Sequence, residues 1–271
     1  EHSGAQYAIG LDPHLGGAMS WRGRITGGPL YLPASHARAL AQRLWLRMPH
    51  SGGTRSYCVS PYKTGTTYLA SLFKQGHRAA HEPLHFVTLH RRDDVRFLAR
   101  RHRALDLDLE CSGFLALSQR ELRAAVGDVP FVYLNRDPRR WIRSVLGHFD
   151  MLREAVSYNF VARRFFDPLC GEHIDQFHRL DHQARARVST RLLSMWTECF
   201  RVARADPRTL VVRLEDLDDR LAEVEDHIGL RAGRPERARK RTARRTFDFD
   251  LNDHVDLSEW RGPLEEAGYE L

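Results

Sequence analysis

Two stretches of the sequence hold residue types that suit an anion. The first is Pro61-Tyr62-Lys63-Thr64-Gly65-Thr66-Thr67, which follows the short apolar run Ser56 to Ser60 and precedes the amphipathic run YLASLFKQG. A loop between a strand and a helix presents unpaired backbone N–H groups and the positive end of the helix dipole. Lys63 adds a full charge, Gly65 lets the backbone approach closely, and Thr66 and Thr67 supply hydroxyl donors. Together they make a cradle for a phosphate-like group. The string is not a Walker A loop: GxxxxGK[ST] is absent and the lysine precedes the glycine. The plainer alternative is an ordinary strand-to-helix turn.

The second stretch is FVYLNRDPRRWIRSVLGHF, Phe131 to Phe149. Its apolar start delivers Arg136 to the C-terminal end of a strand, the edge at which open α/β sheets bind ligands. Asp137-Pro138 opens a helix, with Pro138 suited to an early helical position. Ser144 comes eight positions after Arg136, two turns along that helix. An arginine fork and a serine hydroxyl suit a phosphate monoester. The alternative is a surface arginine and a solvated serine.

The elements that must position these residues follow from periodicity and turn chemistry. Helices are predicted over 34–48, with Ser35 as N-cap, and from Tyr68 to Gly76. Others follow over 93–103, where Asp93 and Asp94 suit the N-terminus, and over 118–126, where Ser118 and Glu121 make a capping box. Further helices are expected over 137–149, 191–205 and 218–228. Strands are predicted at 56–60, 84–89, 130–135 and 209–214. Residues 1–50 read as an irregular lead-in plus a packing helix, and 51–271 as the main domain, with a helical insertion over 150–190. Strands alternating with helices imply an α/β fold, a central parallel sheet flanked by helices.

The bulk numbers narrow the partners. The chain has 271 residues, 42% of them hydrophobic, enough for one large core. Its net charge of +7 suits a polyanion, a membrane surface or a phosphorylated small molecule. No apolar run is long enough to span a bilayer. Cys58, Cys111, Cys170 and Cys199 are far apart, without a CxxC pair. That argues against a zinc site built from cysteines and for reduced thiols in a cytoplasmic protein. His173, His178 and His182 share no clear helical face with a carboxylate, so no metal is expected.

The two stretches, in this order, resemble PAPS-dependent sulfotransferases, where PAPS is 3′-phosphoadenosine-5′-phosphosulfate. PYKTGTTYL is similar to the family's 5′-phosphosulfate loop, and VYLNRDPRRWIRSVL to its 3′-phosphate site. The resemblance covers residues 56–149 well and 191–229 loosely, the latter through Trp196 and TLVVRLEDL. It implies a single α/β domain related to P-loop kinases. It implies that Lys63, Thr64, Gly65, Thr66 and Thr67 hold the 5′-phosphosulfate, and Arg136 and Ser144 the 3′-phosphate. Lys63 would also stabilise charge growing on the bridging oxygen. The family's C-terminal basic loop points to Arg241, with Arg244 and Arg245. No metal is required, the donor leaves as 3′,5′-adenosine bisphosphate (PAP), and no nucleic acid partner is expected.

The acceptor must lose a proton as it attacks, and a positioned carboxylate or imidazole takes it. Glu82, in His81-Glu82-Pro83, stands where several family members carry a glutamate. Glu110, in LECSGF, resembles a Glu-Lys-Ser/Thr-Pro string of heparan-type members, with Cys111 and Gly113 departing from it. His81 and His85 are lesser candidates. The acceptor is expected to be a hydroxyl of a carbohydrate, lipid or small natural product. Two alternatives remain: a P-loop-type nucleotide kinase, and a non-enzymatic module that binds polyanions or nucleic acid through charge.

Overall fold

A computed structural model describes residues 31–151, 161–233 and 247–270. The described residues begin with α1 (Tyr31–Trp45), β1 (Tyr57–Val59), α2 (Thr66–Phe73) and β2 (Ala79–His81). It continues through α3 (His85–Arg91), α4 (Val95–Leu105), β3 (Leu109–Ser112), α5 (Gln119–Val126), β4 (Phe131–Asn135) and α6 (Pro138–Met151). After a π-helical turn, Ala162–Phe166, come α7 (Asp167–Cys170), a 3-10 turn (Ile174–Arg179) and the long α8 (His182–Ala205). β5 (Thr209–Arg213), α9 (Leu221–Ile228) and α10 (Arg261–Glu266) complete it.

The five strands form one parallel sheet in the order β2-β3-β1-β4-β5. β1 is central, with Tyr57 in register with Glu110 on one side and Phe131 on the other. Successive strand residues point to opposite faces. Cys58, Cys111, Val132 and Leu134 therefore share one core with Leu69 and Phe73 of α2 and Val224 of α9. Tyr57, Val59 and Phe131 face the other way, onto Phe97, Leu98, Leu115 and Leu122. Tyr133, on that same face, meets α6 and α8 in a third cluster around Trp141 and Trp196. With both faces covered, the central strands read as continuous apolar runs. The four cysteines are buried and unpaired.

Four expectations about elements are corrected, the first being the helix over 34–48: it is Tyr31–Trp45, so Ser35 lies inside it and is not its N-cap. Leu84 to Leu89 is not a strand: residues 85–91 are helical, and Phe86, Val87, Thr88 and Leu89 are buried. Their apolar content reflects burial in a short helix, which periodicity over so few residues does not separate from a strand. The strand of that region is Ala79–His81, a half-buried edge strand. β3 escaped notice because the charged Glu110 sits in its middle, yet all four of its residues are buried. The hydroxyl of Ser118 does not cap α5; it donates to Asp93 Oδ1 at 2.7 Å. α8 starts at His182, nine residues before the expected 191, because Asp181 accepts from the Ala184 N–H at 2.8 Å and caps it there. Arg241, Arg244 and Arg245 lie outside the described residues.

Candidate anion-binding and proton-transfer site

From β1 the chain moves to one side of the sheet, through β2 and β3, and only later to the other, through β4 and β5. The crevice between the C-terminal ends of β1 and β4 is the point where the winding reverses, where such sheets hold ligands. The loop after β1 and Arg136 after β4 both open onto it. Arg136 Nη1 donates to the Lys63 carbonyl at 2.9 Å, so the two stretches meet.

The loop is held from several sides. Thr64 is fully buried and its hydroxyl donates to the Pro61 carbonyl at 2.6 Å, which closes the turn and turns that hydroxyl inward. Lys63 (φ 74°) and Gly65 (φ 96°) are both left-handed. The positive φ of Gly65 favours glycine, and a Cβ there would also lie 2.5 Å from Leu214 Cδ1, whose side chain would have to shift. The indole N–H of Trp141 donates to the Tyr62 carbonyl at 2.7 Å, and that of Trp196 to the Arg136 carbonyl at 2.9 Å. Side chains on rigid helices thus fix the backbone on both walls of the crevice.

Lys63 Nζ lies 3.5 Å from His148 Nδ1, and the other ring nitrogen of His148 lies 3.1 Å from the Tyr62 hydroxyl. Trp141, Ser144 and His148 follow one another at helical spacing on α6, so half-buried Ser144 lies on the face turned to the loop. His148 was not among the candidates read from the sequence. Its position, four residues after Ser144 and seven after Trp141, is the signal that could have found it.

The hydroxyls of Thr66 and Thr67 each lie 3.1 Å from His81 Nε2, at the end of β2. Glu82 follows, its side chain one-tenth exposed and its Oε1 3.8 Å from that nitrogen. The Gly113 N–H donates to Glu82 Oε1 at 2.7 Å and the Ser112 hydroxyl to Oε2 at 3.1 Å. Burial pushes the Glu82 carboxyl up to about 8, and these two donors only partly offset it. The carboxyl therefore carries a proton at neutral pH and releases it in mildly alkaline solution. Gly113 has no side chain because Tyr62 Cα would lie 2.8 Å from its Cβ, so the end of β3 and the loop are in backbone contact. Glu82 (φ 51°) and Leu84 (φ 56°), which flank Pro83, are left-handed without being glycine. Such strain costs about 1–3 kcal/mol per residue and concentrates at functional sites.

Glu110 has a different setting. Both of its oxygens accept from the Arg101 guanidinium at 2.6 Å, and both side chains are buried. Arg101 also donates to Thr88 Oγ1 and to the Pro83 carbonyl. Burial opposes the Arg101 charge, and the Glu110 carboxylate outweighs it. A carboxylate so committed ties α4 to β3 and to the Glu82 turn. His85 lies further out, its ring 6.4 Å from Phe114, which stacks on Tyr62 at 5.5 Å.

The structure thus gathers Lys63, Gly65, Thr66, Thr67, Arg136, Ser144, His81 and Glu82 around the C-terminal ends of β1 to β4. It adds His148, and it separates Glu110 and the Thr64 hydroxyl from them. A cleft of about 330 Å³ near β5, between Arg213, Asp216, Arg220 and Glu266, stands apart from this group, and its arginines are paired with carboxylates. No protein-family model matches this chain, and no curated protein matches it.

Proposed function

We propose that the chain transfers a sulfuryl group from PAPS to a hydroxyl, or less readily an amine, of a carbohydrate, lipid or small natural-product acceptor. The observation that carries this reading is the meeting of the two anion-suited stretches, Arg136 against the Lys63 carbonyl, at the crevice between β1 and β4. In the proposed reaction Lys63 and the α2 N-terminus hold the 5′-phosphosulfate, and Arg136 and Ser144 the 3′-phosphate. The acceptor oxygen bonds to sulfur as the sulfur–oxygen bond to the 5′-phosphate breaks. The bonding pair leaves on that phosphate beside Lys63. Glu82, once ionised, takes the acceptor proton. This is positioning and electrostatics, the logic of phosphoryl transfer applied to sulfur.

Calorimetry with PAP, and with ATP as control, tests the reading. Wild type is expected to bind PAP at micromolar concentration and ATP much more weakly. Ser144→Ala is expected to lose roughly tenfold in affinity, a hydrogen bond to a charged group. Arg136→Ala is expected to lose binding altogether. ATP binding that equals or exceeds PAP binding would favour the kinase reading. Well-folded protein that binds neither would end both.

A further inference from the structure

Away from the crevice, the turn after the π-helical segment gathers a second set of polar groups. Asp167, His173 and Asp175 each offer one ligand atom, and these three atoms lie within 4.8 Å of one another. Asp167 opens α7 and accepts from the Ile174 N–H at 3.1 Å, which fixes the turn. Its second oxygen lies 2.6 Å from His173 Nδ1. Asp175 is the observation that calls for an explanation. It is 4% exposed, its Oδ1 is buried without a hydrogen-bond partner, and among the described residues no cation pairs with it.

A buried carboxylate without a partner is expensive, and a second carboxylate beside it raises the cost. Two arginines in the first turns of α8 make their contacts elsewhere. Arg187 pairs with Glu172, and Arg185 donates to the His178 carbonyl. Two carboxylates and an imidazole converging on one point, with the imidazole side more than half exposed, form a set open to an ion from solvent.

We propose that Asp167, His173 and Asp175 bind a divalent transition-metal cation, zinc by ligand type. Three protein ligands of nitrogen and oxygen, with an exposed side left for water, are a zinc arrangement. The imidazole disfavours magnesium and calcium. At zinc–ligand distances of about 2.0–2.2 Å, tetrahedral ligand atoms sit about 3.3 Å apart. The His173–Asp167 separation would therefore open by less than an ångström. The ion would neutralise Asp175 and clasp α7 to the 3-10 turn, which packs on α6. This set differs from His173, His178 and His182, of which only His173 belongs to it. The inference does not depend on the activity proposed above.

The test is calorimetry of chelator-treated protein with zinc, manganese, calcium and magnesium, on wild type, His173→Ala and Asp175→Asn. Wild type is expected to bind one equivalent of zinc in preference to the other ions. Each substitution should weaken that binding at least tenfold. Zinc should raise the melting temperature of wild type and of neither variant. His173 is exposed, so His173→Ala keeps the test valid if Asp175→Asn fails to fold. Absence of zinc binding to wild type, or an unchanged equivalent in both variants, would overturn the proposal.

Discussion

Glu82 and Glu110 are both largely buried, but only Glu110 has a guanidinium within hydrogen-bond reach. Glu110 faces Arg101 across two short hydrogen bonds. Glu110→Gln would leave the Arg101 charge buried and unpaired, and should cost about 3–5 kcal/mol in a urea titration. Replacing both residues with apolar ones should recover much of that loss. Burial raises the Glu82 carboxyl to about 8, and the Gly113 N–H and Ser112 hydroxyl offset this only in part. Between the usual carboxyl range and pH 8 the folded chain holds a proton that the unfolded chain has released. Stability from this group is therefore greatest at low pH and falls as pH rises through that window. Glu82→Gln should remove the slope, so that it melts higher than wild type at pH 9. If Glu82 is also the base, the wild-type transfer rate should climb through pH 8. The variant should be slower by a factor of about 10²–10⁴. The sequence put Glu82 ahead of Glu110 as the base, but on resemblance and not on their surroundings. Those surroundings differ through Arg101, which sits nine positions before Glu110 on a different element, and periodicity does not reveal such a pairing.

At the scale of elements, the strands and helices that carry the crevice were the legible part. β1, β4, β5, α2 and α6 are marked by apolar runs with turn chemistry at their ends, and the local signal agrees with the final packing. β2 and β3 were not legible. One is a half-buried edge and the other carries a charge at its centre, so neither shows the pattern a buried strand is read from. The start of α8 was hidden by its arginines, which give the first turns little apolar periodicity. The loop between β1 and α2 offers a paired test. Gly65 and Gly76 both have positive φ, but a Cβ on Gly76 meets nothing within 4 Å, whereas one on Gly65 meets Leu214. Gly76→Ala should show the backbone cost alone, about 1 kcal/mol. Gly65→Ala should cost more in thermal melts and should also lose PAP binding by tenfold or more.

For the whole molecule, the charge and the crevice make separable demands. A net charge of +7 attracts polyanions at long range, and such binding weakens steeply with added salt. Binding of PAP in a crevice rests on directed hydrogen bonds and should weaken less. Titrations with duplex DNA and with PAP at about 50 and 200 mM salt should therefore diverge, the DNA affinity dropping by orders of magnitude. Parallel curves would favour the polyanion-binding alternative. Among the described residues no helix is long and apolar enough to cross a membrane.

The two buried tryptophans that grip the walls of the crevice have an optical consequence. Trp141 and Trp196 are both shielded from water, and each indole N–H is bonded to a carbonyl of the segment beside it. An indole in such surroundings emits toward the blue, and its emission responds to small movements of the carbonyl it touches. One wall belongs to the Lys63 loop and the other to Arg136, so the molecule carries an intrinsic fluorophore on each side of the gap. Any ligand that draws those walls together should be visible in the emission of the native chain, without a label.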